Sequence, residues 1–80
     1  MKLNYNASNF GNGLRTLRKQ QGLTQVELVT ILKAHGISIC IQTLSNYENG
    51  KTHARSPKII QIAKAMGVKT IDIFKAGNDE

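Results

Sequence analysis

Residues 37–50 read ISICIQTLSNYENG. The alternating isoleucines at the front are strand-like, but the run is too short to stand as a strand on its own. From Cys40 onward the spacing becomes helical. Cys40, Leu44 and Tyr47 fall at i, i+4 and i+7, which predicts a stripe facing a core. Gln42, Ser45, Asn46 and Asn49 repeat that spacing on the opposite face, and Gly50 supplies the stop signal. A helix from about Cys40 to Asn49 is predicted, with an outer face that is polar yet uncharged. Ile41, beside that face, has no obvious place in a core. An exposed helix in a basic chain would ordinarily carry lysines, so this face asks for an explanation.

Upstream, Thr24 and Glu27 spell T-x-x-E, a capping box that satisfies two backbone donors at a helix start. Leu23 and Leu28 match the accompanying hydrophobic staple, and Leu28, Ile31 and Leu32 form an inward stripe that Gly36 ends. Gln25, the first helical residue, points its amide outward at the positive helix end. Earlier still, Phe10, Leu14 and Leu17 share one helical face, with Arg15 and Lys19 off it and Gly22 where a C-cap belongs. Gly11 and Gly13 lower the helix propensity near the start of that segment. Between Leu32 and Cys40 lies KAHGISI, which reads either as one more turn of helix or as a loop. Ser38 competes with Cys40 as the cap that follows.

Downstream, Lys51 to Arg55 form a basic loop. A fourth helix begins near Ser56, tolerates Pro57 in its first turn, and buries Ile59, Ile62, Ala63 and Met66 before Gly67. A last helix follows Thr70, anchored by Ile71, Ile73 and Phe74, with Asp72 near its positive end. The fold class is all-α: five short helices in residues 9–76, between flexible ends at 1–8 and 77–80.

Eighty residues suffice for one domain, and 40% apolar residues suffice for one compact core. Eleven Lys and Arg against five Asp and Glu give +6, and before Glu27 there are four basic residues and no acid. That balance suggests a polyanion partner over mere solubility. One cysteine, Cys40, permits no internal disulfide and fits a reducing cytoplasm. At a helix start it could act as a redox switch, though such a cysteine is more often a small buried hydrophobe. No apolar run approaches the ~18 residues of a membrane span, and there is no secretory signal. His35 and His53 have no acid or thiol at metal spacing, and Ser45 has no catalytic partners in reach. The residues predict no enzyme, no metal and no cofactor.

Three motifs together, GLTQVEL at 22–28, TLSNYENGK at 43–51 and IAKAMGV at 62–68, resemble the helix-turn-helix domain of the phage repressor and Cro type. The resemblance runs from Phe10 to Phe74. It implies a compact, lambda-repressor-like five-helix domain whose third helix lies in the major groove of double-stranded DNA. The uncharged polar face then becomes a reading surface, because amides and hydroxyls both donate and accept at base edges. By residue, the resemblance implies Gln42 and Asn46 as base readers, with Ile41 packing a thymine methyl and Thr43 and Ser45 at the edges. It implies Gln25, Asn49 and Lys51 as phosphate contacts, extended by His53 and Arg55, and Arg18 with Glu48 as a structural salt bridge. The function implied is a transcriptional regulator, a repressor of bacterial or phage origin, acting as a homodimer on a pseudo-palindromic operator. The last helix, with Ile71, Ile73 and Phe74, is the candidate dimer surface. An alternative is a protein-interaction module, an antitoxin or coactivator-like bridge whose polar face docks a protein. One departure stands out: the family's turn between helices two and three is about 3–4 residues, and KAHGISI adds about five to the common spacing.

Overall fold

Five helices follow one another: α1 (Ala7–Gln20), α2 (Gln25–Ala34), α3 (Ile41–Glu48), α4 (Ser56–Met66) and α5 (Thr70–Asn78). The computed structural model describes residues 6–78, with no strand among them. α1 starts two residues before Asn9, because Asn6 caps it: the Asn6 side chain accepts from the Asn9 N–H at 2.8 Å. Ala7 and Ser8 are therefore helical, while residues 1–5 of the expected flexible segment lie outside the described residues. At the other end α5 continues past 76 through Gly77 to Asn78, and the rest of the expected tail lies outside the described residues.

The capping box of α2 is present in both directions, with Thr24 accepting from Glu27 N and Glu27 accepting from Thr24 N. Stops are equally regular. Gly22, Gly36, Gly50 and Gly67 each take φ between 71° and 82° after a helix. The following N–H returns to the helix from Leu23 to Arg18, Ile37 to Leu32, Lys51 to Asn46 and Val68 to Ala63, at 2.9–3.0 Å. This is the Schellman closure, whose last residue usually makes an apolar contact with its own helix. Leu23, Ile37 and Val68 do pack on the core; Lys51 is exposed.

Phe10, Leu14, Leu28, Leu32, Leu44, Ile62 and Ile73 are fully buried and come from all five helices. Each such side chain contributes roughly 1.5–3 kcal/mol, so this set dominates any single surface ion pair. The glycines that weaken α1 as an isolated helix serve its packing. A Cβ on Gly13 would overlap the Ile73 carbonyl oxygen, one on Gly77 the Asn9 carbonyl, and one on Gly11 the Tyr47 carbonyl. α1 thus meets α5 and α3 backbone to backbone.

The long turn resolves as both readings at once. α2 runs on to Ala34, and residues 35–40 then form a loop anchored by Ile37, which is 4% exposed. Cys40, not Ser38, caps α3, and no side-chain bond closes that cap. Its side chain is exposed, which corrects the core-facing expectation. At φ −94°, ψ 167° Cys40 precedes the helical backbone, so helical spacing does not extend to it. Ile71 is a second correction. It is 45% exposed while Ile73 and Phe74 are buried, since two residues along a helix turn the side chain by roughly 200°.

Candidate nucleic-acid interface

Three residues hold α3 to the body: Leu44, Tyr47 and Glu48 are buried. Everything else on this helix faces outward or sideways. Ile41 is 44% exposed, Gln42 and Asn49 are exposed, and Thr43, Ser45 and Asn46 are half-buried. The outward amides and hydroxyl pair along the helix. Gln42 Nε2 donates to Asn46 Oδ1 at 3.1 Å, and Asn49 Nδ2 donates to Ser45 Oγ at 3.4 Å. Such i, i+4 pairs restrain both side chains. The first pair leaves the Gln42 carbonyl as an acceptor and the Asn46 NH₂ as a donor. That is the combination that an adenine edge requires. The one acid of α3 is removed from this face by burial.

Glu48 is only 3% exposed and is held by three donors. Arg18 Nε donates to Oε2 at 2.7 Å and Arg18 Nη2 to Oε1 at 3.1 Å. Arg18 Nη1 also donates to the Leu23 carbonyl at 2.8 Å, inside the α1–α2 connection. Gln25 Nε2 donates to Glu48 Oε1 at 3.1 Å. The Gln25 amide is therefore turned back toward α3 and half-buried, not aimed outward, because a buried carboxylate attracts any donor in reach.

Between α3 and α4, the Lys51 N–H donates to the Asn46 carbonyl, which seats this lysine at the C-terminal end of α3. His53 is exposed but packs its ring edge-on against Phe10, with centroids 5.4 Å apart. Ala54 in the same loop is buried at 3%. Arg55 is exposed and occupies the N-cap of α4. At the front of α3, Cys40 Sγ and Thr43 Oγ1 lie 3.3 Å apart. That hydrogen bond holds the Cys40 thiol below its ordinary range.

Sequence reasoning passed over Lys58, which lines a pocket with Tyr47, His53 and Arg55. A signal was available: α4 has no acid in its first turn and places lysine there, against the preference of a helix N-terminus for negative charge. Among the described residues no group of three or more His, Cys, Asp or Glu could hold a metal ion. None of the described helices is long and apolar enough to cross a membrane.

A family model described as helix-turn-helix matches residues 14–73, well over half of the chain. Among solved structures, the chain is similar to the clp gene regulator ClgR from C. glutamicum. The two share 25% identity with a TM-score of 0.74, covering 91% of this chain and 88% of that one. No curated protein matches the sequence.

Proposed function

The chain belongs to the helix-turn-helix family of DNA-binding transcription regulators, and we propose that it represses transcription by reading the major groove of double-stranded DNA with α3. The observation that carries this reading is the outward face of α3. It offers paired amides and hydroxyls, no charge and one exposed isoleucine, which suits base edges better than phosphates. Gln42 and Asn46 read adenine, Ile41 packs a thymine methyl, and Thr43 and Ser45 touch the margins of the site. Lys51, Asn49 and Arg55 hold phosphates on either side, while His53 contributes from a ring fixed on Phe10. Gln25 approaches the backbone with whatever its bond to Glu48 leaves free. Its main role is to steady the junction of α2 and α3.

One such module covers few base pairs, so two copies on a pseudo-palindrome complete the reading. With Ile73 and Phe74 committed to the core, the exposed large apolar residues of α4 and α5 are Ile60 and Ile71. These two are the contacts assigned to a second copy. ClgR, a regulator by description, lends analogy and nothing more specific.

The test is selection from random duplex DNA at moderate salt. An enriched palindromic half-site, lost in Gln42→Ala, is the expected result. Retention without enrichment would leave only a basic surface holding phosphates and turn attention to a protein partner on the outward face of α3.

A further inference from the structure

α3 runs about 12 Å from Ile41 to Glu48, and its two ends are furnished differently. Every residue given a backbone role above stands by its C-terminal end. Asn49, Lys51, His53 and Arg55 follow it in the chain, and Gln25 donates to Glu48 in its last turn. Before its N-terminal end, at Ile41, comes the enlarged turn from α2, residues 35–40.

That turn is fixed on both sides. At its start the His35 N–H donates to the Ile31 and Leu32 carbonyls at 3.2 and 3.0 Å. Gly36, at φ 82°, lets the Ile37 N–H return to the Leu32 carbonyl at 2.9 Å. Ile37 is plugged into the core at 4% exposure, and Ile39 packs against that core. At the other end Cys40 Sγ lies 3.3 Å from Thr43 Oγ1 in the first turn of α3. A segment held in this way has lost its conformational freedom on folding, so a contact made by it costs little further ordering.

What the turn shows to solvent is polar and free of acid. Lys33, His35 and Ser38 are exposed, and residues 28–47 contain no Asp or Glu. The flanking acids are both engaged elsewhere. Glu27 accepts from the Thr24 N–H at the far end of α2, and Glu48 is buried against Arg18. An ammonium, an imidazole and a hydroxyl, each able to donate, thus fall between positions 33 and 38, just before the end of α3 that carries Gln42.

We propose that this turn is a second DNA contact, in which Lys33, His35 and Ser38 hold the duplex backbone beyond the base pair met by Gln42 and lengthen the stretch covered by each copy. This contact presupposes α3 in the major groove, and it gives a role to the added residues, which base reading by α3 alone leaves idle.

Ethylation interference on the half-site recovered from random duplex DNA maps the contact, with the full chain and with the double variant Lys33→Gln, His35→Ala. Both positions are exposed, and a circular dichroism melt checks that the double variant folds. For the parent chain, ethylated phosphates should interfere on both sides of the base pair whose discrimination Gln42→Ala relaxes. The double variant should lose interference on one side alone, the side that Lys51→Ala leaves untouched. It should bind the half-site about tenfold more weakly, with a salt slope lower by about one and with its discrimination among bases kept.

Interference confined to the Lys51 side in the parent overturns the proposal, and so does a double variant that binds like the parent. In either case a selected half-site that depends on Gln42 leaves base reading intact. A selection that recovers no half-site overturns base reading and this contact with it, so the two failures are told apart.

Discussion

Gln25 and Arg18 donate to the same oxygen of Glu48, each at 3.1 Å, although they stand on different helices. One buried carboxylate thereby ties the end of α1, the start of α2 and the last turn of α3. Burying that charge is unfavourable unless every lone pair finds a donor. The arrangement supplies three donors from two side chains, and it explains why Gln25 turns inward.

Removing one partner should therefore strand the other. Glu48→Ala is expected to cost about 3–5 kcal/mol in urea unfolding, because Arg18 remains buried without compensation. The double variant Arg18→Met with Glu48→Leu should recover most of that loss. A double variant as unstable as the single one would show that the pair matters for shape and not for charge.

Gly13→Ala should destabilise by about 1–3 kcal/mol or more, since the added methyl meets backbone and not a movable side chain. Thermal unfolding followed by circular dichroism reads this directly. An unshifted midpoint would mean that α1 and α5 can separate freely, against the contact described.

Readers and clamps should differ in kind. Gln42→Ala is expected to cost about 1–3 kcal/mol on the best site and to relax discrimination at one or two base pairs. Lys51→Ala should weaken all duplexes nearly equally and lower the salt slope by about one. Binding isotherms on matched and scrambled duplexes at several salt concentrations separate the two. Identical profiles would dissolve the division.

Cys40 should alkylate with a pH midpoint below that of an unperturbed thiol, because the bond from Thr43 favours its thiolate. Thr43→Val removes that bond and should move the midpoint upward. The rate of iodoacetamide labelling against pH decides it; a midpoint indifferent to Thr43 would leave the backbone at the start of α3 as the cause.

Local signals carried most of the architecture. Helical stripes such as Ile59, Ile62, Ala63 and Met66, the capping box at Thr24 and the four stop glycines each lie within a few residues, and each is seen in the fold. What escaped depends on contacts between distant segments. Gly11, Gly13 and Gly77 look like weaknesses until the facing backbone is known. Ile37 and Ala54 sit in loops without periodicity, yet both are buried. Cys40 departs from expectation because helical spacing does not extend past the helix end, and Ile71 because apolar character alone does not place a residue two positions from Ile73 on the same face. At the interface, the uncharged face of α3 was legible from spacing alone. The inward turn of Gln25 and the pocket under Tyr47 were not, since both are made by side chains far apart in the chain.

The way α3 is mounted has a consequence for how such a protein can diverge. Its seat is made by Leu44, Tyr47 and Glu48, by the Ile37 plug before it and by the Gly50 turn behind it. Ile41, Gln42, Ser45, Asn46 and Asn49 take no part in that seat. On the proposed reading, exchanging these five leaves the buried residues of the core in place, so new target preferences can be sampled without first spending stability. Preference and foldedness are free to evolve separately here, with α3 as the replaceable cassette.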